Sequence, residues 1–191
     1  SIPYVVVGGL KFNERKHIKD LIAYLRIILN PHDSVAWHRV LKLLPGIGKV
    51  TSGTIVKEVR KSGAINLDQF IGKKFFVHLR QLRDVLNRAG ADNLHVNERL
   101  QILKDYYTPI LESKESDYQS RLLDVDVLIN LAKNYEEIDK FLSDFALEPP
   151  SRSLSGESTP LVDESEERPM TISTIHSAKG LEWHTVIIPH A

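Results

Sequence analysis

The chain has 191 residues, 42% hydrophobic and 26% charged, an ordinary globular composition that suffices for one large domain or two modest ones. It contains no cysteine, which excludes disulfides and thiolate metal sites, and no apolar run approaches the roughly 20 residues of a membrane span. The net charge of zero hides a division: residues 1–108 hold 18 Lys and Arg against 9 Asp and Glu, a net of +9, and residues 109–191 hold 7 against 16, a net of −9. A basic half can attract a polyanion even when the whole chain is neutral, although solvated helix faces produce the same numbers. The opening Ser1-Ile-Pro-Tyr-Val lacks the basic flank of a signal peptide. A soluble, cytoplasmic protein is the expectation.

Tyr4 to Val7 reads as a short strand that breaks at Gly8-Gly9. A helix is predicted from Asn13, as N-cap, to Leu29, with Ile18, Leu21, Ile22, Leu25, Ile28 and Leu29 forming one apolar face and Asn30-Pro31 as the stop. Ser34 is the predicted cap of a second helix through Val35, Trp37, Val40, Leu41 and Leu44, ended by Pro45-Gly46. A tight turn at Gly46 to Thr51 leads into a helix over Ser52 to Lys61. Further helical patterns cover Lys74 to Ala89, Asn97 to Glu112, Tyr118 to Tyr135 and Glu136 to Phe145. Pro149 to Arg168 collects Ser, Pro, Glu and Gly and reads as a flexible linker. Two strands are predicted after it, Thr171 to Ile175 and His184 to Ile188, the second stopped by Pro189. The strand near the start needs a sheet, and these late strands are its natural partners. Residues 1–30 and 170–190 would then come together, with the helical middle as an insertion.

Three stretches could carry chemistry. The polar turn between the late strands exposes His176, Ser177, Lys179 and Glu182, and it fits an ordinary connection as well as a binding loop. In Gly8-Gly-Leu-Lys-Phe-Asn-Glu-Arg15 an arginine stands at a helix start, where the dipole opposes a cation. Either an anion bridges the dipole and the guanidinium, or Arg15 is a surface residue paired with Glu14 or Asp20. Gly46-Ile-Gly-Lys-Val-Thr-Ser-Gly53 is not a nucleotide phosphate loop, because Leu43 stands five before Gly48 and Val50 follows Lys49. Backbone N–H groups at the following helix start could instead hold one phosphate of a nucleic acid. Residues 34–61 carry six basic residues and one acidic, which agrees with that use, and a plain joint between helices with solvated lysines is the alternative. The eight histidines show no HxH or HxxxH spacing, so no metal site is expected.

Taken together, the two ends are distinctive. Tyr4-Val-Val-Val-Gly-Gly-Leu-Lys-Phe-Asn-Glu-Arg-Lys-His-Ile-Lys-Asp-Leu-Ile-Ala-Tyr-Leu-Arg26, followed by Asn30-Pro-His-Asp33, resembles motif IV of UvrD/Rep/PcrA-type superfamily 1 DNA helicases. Thr171-Ile-Ser-Thr-Ile-His-Ser-Ala-Lys-Gly-Leu-Glu-Trp183 resembles motif V, and Pro45-Gly-Ile-Gly48 resembles the Gly-Ile-Gly turn placed after motif IV. The resemblance implies an α/β fold with a mainly α-helical insertion. Residues 1–33 and 169–191 would be part of a second RecA-like (P-loop NTPase) motor domain, residues 34–148 a helical accessory domain contacting duplex DNA, and residues 149–168 the linker.

By the same resemblance Arg15 would reach the γ-phosphate of ATP bound on the first motor domain, as an arginine finger, and Glu182 and Gly180 would lie near the nucleotide. Thr174, His176 and Ser177 would touch single-stranded DNA, and Gly46, Ile47, Gly48 and Lys49 the duplex backbone. Three departures stand out: Pro45 directly before Gly-Ile-Gly where arginine is common, His17 where glutamate is usual, and Trp183 where phenylalanine is usual. Walker A, Walker B and motif VI are absent from these residues. The implied parent is therefore an ATP-dependent DNA helicase, of the kind that serves DNA repair, using ATP and Mg²⁺. This chain is expected to bind neither by itself and to be inactive without the first motor domain. A non-enzymatic DNA-binding module and an inactive helicase-like scaffold are the alternatives.

Overall fold

Two tetrapeptides from opposite ends of the sequence pair as strands. In the computed structural model, which describes residues 4–7, 12–147, 170–173, 178–179 and 182–188, β1 (Tyr4–Val7) lies parallel to β2 (Met170–Ser173). Tyr4 stands opposite Met170 and Val7 opposite Ser173. A parallel pair cannot be closed by a hairpin and needs a long crossover. Here the whole helical middle separates the two strands in sequence, so the predicted pairing of the chain ends holds for the first late strand. It does not hold for the second. Residues 184–188 form no strand, and Val186, Ile187 and Ile188 are 63%, 80% and 64% exposed. Their β-branched composition favours a strand only where a neighbour supplies ladder bonds and cover, and none is present among the described residues.

The chain divides into two compact units, one of residues 1–12 with 149–191 and one of residues 13–148. Among the described residues the second unit holds α1 (Lys16–Leu29), α2 (Ser34–Leu41), α3 (Lys49–Ser62), α4 (Phe76–Ala89), α5 (Val96–Glu112), α6 (Tyr118–Leu131) and α7 (Ile138–Leu147). The mainly α-helical middle is thus as the sequence indicates. Compactness groups α1 with the helical unit, whereas the sequence pattern groups residues 1–33 with the strands. The segment expected to be a linker, 149–168, lies outside the described residues.

α1 is the centre of this unit. It packs against α2, α4, α5, α6 and α7. The sequence shows one apolar face, but Ala23, Tyr24 and Ile27 are buried as well as Ile18, Leu21 and Leu25, because helices cover α1 on several sides. Leu29, at the open end, is instead 49% exposed. One buried carboxylate joins three helices: Asp20 accepts from Arg39 Nε on α2 at 2.6 Å and from the Tyr107 hydroxyl on α5 at 2.7 Å. Further along, Arg99 on α5 is buried and donates to the carbonyls of Ala89 and Leu94, closing the C-terminal end of α4.

The helix starts are set by different residues from those the pattern suggests. Phe12–Glu14 forms a 3₁₀ turn and Arg15, not Asn13, is the N-cap of α1. Asp33, not Ser34, caps α2: its Oδ1 accepts from the Ala36 amide at 2.9 Å, and its Oδ2 accepts from Arg26 Nε at 2.8 Å. A carboxylate one position earlier reaches the orphan amide and answers the dipole with a full charge, which a hydroxyl cannot do. Burial would raise the pKa of Asp33, but the Ala36 amide and Arg26 outweigh it and hold the carboxyl below its usual range. At its far end α3 stops at Gly63, whose φ of 73° lies in the left-handed region. Asp33→Ala should destabilise the helical unit by about 1–2 kcal/mol in denaturant titrations. Asp33→Asn, which keeps the cap and loses the charge, should recover most of that loss.

Candidate functional site

The head of α1 concentrates positive charge. Arg15 is its N-cap and Lys16 opens its first turn, no acid stands in that turn, and the amides of a helix start add to the same sign. The compensation comes from the α5–α6 hairpin. Arg15 Nη1 donates to Asp124 Oδ1, and His17 Nε2 lies 2.7 Å from Asp124 Oδ2. Lys16 Nζ donates to Glu115 Oε1 at 2.7 Å, and Arg121 pairs with Glu115 at 3.1 Å and Asp117 at 2.7 Å. Neither partner foreseen for Arg15, Glu14 or Asp20, is its partner here: Asp20 is engaged by Arg39 and Tyr107. The Arg15 side chain is 37% exposed, and that of Asp124 is 20% exposed.

His17 is 96% buried by its 4% relative exposure, and its Nδ1 has no hydrogen-bond partner among the described residues. Burial pulls its basicity below the ordinary histidine value. Asp124 pulls the other way and does not overcome it, and Arg121 and Arg15 add to the depression. The neutral ring therefore donates through Nε2 to the carboxylate.

A second candidate region lies at the turn between α2 and α3, in the same unit. Gly46 has φ of 79°, a left-handed conformation that other residues adopt only with strain. Ile47 is buried at 7% exposure and pins the turn to the core. Gly48 is the N-cap of α3, offers no side-chain cap, and a β-carbon placed on it would meet nothing within 4 Å. The Ser52 amide closes the first turn on the Gly48 carbonyl at 2.9 Å. The amides of Lys49, Val50 and Thr51 precede that bond and so have no carbonyl to receive them within α3. Buried Ser52 stiffens this start: its hydroxyl donates to the Lys49 carbonyl at 3.0 Å, and His38 Nδ1 on α2 lies 3.3 Å from it. An anion could approach the Gly48–Lys49 backbone without steric obstruction.

Two residues to which the sequence reading gives no site role join this turn. A β-carbon on Gly46 would sit 3.6 Å from that of Phe75, so the segment ahead of α4 passes directly beside the turn. That segment carries Lys73 and Lys74, both exposed, and Lys49 is exposed as well. None of the three lysines takes part in an ion pair among the described residues. A lysine pair after Gly72 is visible in the sequence. Its neighbourhood to Gly46 is a tertiary fact.

Among the other predicted site residues Glu182 is exposed, and Thr174, His176, Ser177 and Gly180 lie outside the described residues. Among the described residues no group of three or more His, Asp or Glu could hold a metal ion, and no helix is long and apolar enough to cross a membrane.

Residues 1–191, the entire chain, match the UvrD-like helicase C-terminal domain. The chain belongs to that family. As a UvrD-like C-terminal domain it is 30% identical over 221 residues to the ATP-dependent DNA helicase PcrA of Bacillus subtilis (strain 168), with 98% of this chain and 28% of that protein aligned. The PcrA helicase of Staphylococcus aureus (strain Mu50 / ATCC 700699) is likewise 30% identical, over 212 residues, with 98% of this chain and 27% of that protein covered. The chain thus spans little more than a quarter of the length of these relatives.

The state of His17 in this UvrD-like domain has a consequence for stability. Its folded pKa lies below the 6.5 of an exposed histidine, so the unfolded chain binds the proton first. Stability is then full above about pH 6.5 and falls as pH drops toward the folded pKa. His17→Gln should flatten the decline in melting temperature between about pH 7 and pH 5. An unchanged decline would assign it to other groups.

Proposed function

We propose that the chain is the part of an ATP-dependent DNA helicase that completes the nucleotide site from the far side of the cleft and meets the DNA ahead of the motor. The observation that carries this reading is Arg15, a partly exposed arginine at the head of α1, in a chain matched from end to end by the UvrD-like helicase C-terminal domain. Arg15 would stabilise charge developing on the γ-phosphate of ATP held by the first motor domain of the same polypeptide. Glu182 and Gly180 would serve the nucleotide, and Thr174, His176 and Ser177 the single strand. Residues 1–33 and 169–191 would belong to a partial RecA-like motor domain, and the parallel β1–β2 pair is consistent with such a sheet. Residues 34–148 would be the accessory domain. Mg²⁺ would be held by the segment carrying Walker A and Walker B, and ATP hydrolysis would need that segment too.

At the α2–α3 turn, Gly46, Ile47, Gly48 and Lys49 would receive a duplex phosphate, with Lys73 and Lys74 beside them. Such contacts give affinity and register without reading sequence, so the domain would grip any duplex ahead of a single-stranded tail. Pro45, in place of an arginine, removes one cation from this surface, and Lys73 and Lys74 supply two.

In a polypeptide carrying both motor domains, Arg15→Ala should slow ATP turnover by about a thousandfold while ATP affinity changes only a few-fold. Weakened ATP binding with normal turnover would contradict the role. On the DNA side, replacing Lys73 and Lys74 together with alanine should weaken binding of a tailed duplex and lower the salt dependence by about two phosphate contacts. An unchanged salt slope would remove both lysines from the interface.

A further inference from the structure

We propose that the solvent face of α3 is a second duplex contact, which extends the grip begun at the Gly46–Lys49 turn across a groove to the backbone of the opposite strand. This role of α3 rests on the reading of the turn given above. α3 packs chiefly on α2, and it buries Ser52, Ile55, Val56 and Val59. Val50, Thr54, Lys57 and Lys61, spaced by four, three and four residues, form the opposite row and are all exposed.

The charge on this helix is one-sided. α3 carries Lys49, Lys57, Arg60 and Lys61 against a single carboxylate, Glu58, which is half-buried and accepts from Gln69 Nε2 at 2.5 Å. None of the four cations takes part in an ion pair among the described residues, whereas Lys16, Arg26, Arg83 and Lys104 elsewhere in the unit all do. The helix dipole favours Arg60 and Lys61 in the last turn but opposes Lys49 at the start. Lys57 in turn repels Arg60 and Lys61 at spacings of three and four. Interleaved signs would keep the surface soluble without that repulsion.

Gly53 is a second, independent sign of a ligand. It stands inside α3, where glycine is a poorer helix former than alanine, and a β-carbon on it would meet nothing within 4 Å. Neither its helical backbone nor the packing of the fold calls for glycine, and a bare backbone there admits a ligand closely. The neighbouring Thr54 hydroxyl is turned onto the Val50 carbonyl at 3.3 Å, so its one donor is used within the helix. A face of cations around a small, donor-poor centre suits a sugar–phosphate backbone better than base edges. At 1.5 Å per residue Lys57 lies about 12 Å along the axis from Lys49, and Lys61 about 18 Å. The major groove of B-DNA is about 12 Å wide. With its start on one phosphate, α3 crosses that groove, and Lys57, Arg60 and Lys61 meet the other strand. The ligand is double-stranded DNA, held by charge and groove width.

The test measures binding of a tailed duplex, and of the single strand alone, to a polypeptide with both motor domains. Replacing Lys57, Arg60 and Lys61 together with glutamine should weaken duplex binding by about tenfold or more and lower its salt slope by about two to three, with single-strand binding within about twofold. Gly53→Leu should leave the melting temperature no lower and still weaken duplex binding by about tenfold. Glutamine at Lys133 and Lys140, exposed on other elements, controls for net charge and should leave duplex affinity within about twofold. An unchanged duplex slope in the triple variant, an equal loss on the single strand, an equal loss in the charge control, or normal binding by Gly53→Leu would overturn the role of α3. Replacing Lys49, Lys73 and Lys74 with glutamine separates the two readings. If that change lowers the slope and the α3 changes do not, only the α3 contact fails; if it changes nothing, the reading of the turn fails.

Discussion

The helical unit depends on how one buried carboxylate is satisfied. Asp20 is only 2% exposed, and an unpaired charge at that depth would cost several kcal/mol. Arg39 and Tyr107 supply the donors, and the low-dielectric surroundings push the Tyr107 hydroxyl well above the usual tyrosine range. The arrangement contributes specificity as much as stability. An apolar contact between α1 and α2 could slide by a turn with modest loss, but a charge-assisted hydrogen bond at 2.6 Å cannot. Arg39 also donates to the Lys16 carbonyl at 3.0 Å, so the same side chain reaches the first turn of α1. α2 is thereby held in one register, and α2 leads into the Gly46–Lys49 turn. The proposed nucleotide contact and the proposed duplex contact are carried by one body of helices organised on α1.

Much of this was legible in the sequence, and what was not has a common cause. Helix existence follows from the apolar spacing, and β1 and β2 follow from β-branched runs near glycine or polar turns. The motif near the start of the chain singles out Arg15, and the Gly-Ile-Gly sequence singles out the Gly46–Lys49 turn. The misses are of two kinds. Residues 184–188 have strand composition without a ladder, because composition reports fitness for a sheet and not the presence of a neighbour. Asp33, Asp124, Lys73 and Lys74 escaped because their meaning lies in a tertiary neighbour rather than in the local sequence. Asp33 looks like the last residue of a loop until Arg26 and the Ala36 amide meet it. Asp124 stands 109 positions from Arg15, and nothing local to α6 singles it out.

The charge division between the halves of the sequence gains a structural meaning from these pairs. Glu115, Asp117 and Asp124 belong to the acidic half and are spent on Arg15, Lys16, His17 and Arg121. Lys49, Lys73 and Lys74 belong to the basic half and remain exposed beside an open helix start. A net charge of zero is therefore compatible with a surface that attracts phosphate, because Glu115, Asp117 and Asp124 are engaged by basic groups away from it.

The two helix starts solve the same electrostatic problem in opposite ways. At α3 the first-turn amides, a glycine cap without a side chain and Lys49 all favour an anion, and the fold supplies none of its own among the described residues. At α1 the first turn is still more cationic, yet the α5–α6 hairpin brings carboxylates to it. A start left uncompensated is suited to a ligand that comes and goes with the DNA backbone, whose affinity is tuned by salt. A compensated start holds its cationic side chains against the fold's own carboxylates. The two conditions cannot be met by the same turn, and the fold keeps them on different helices of one unit.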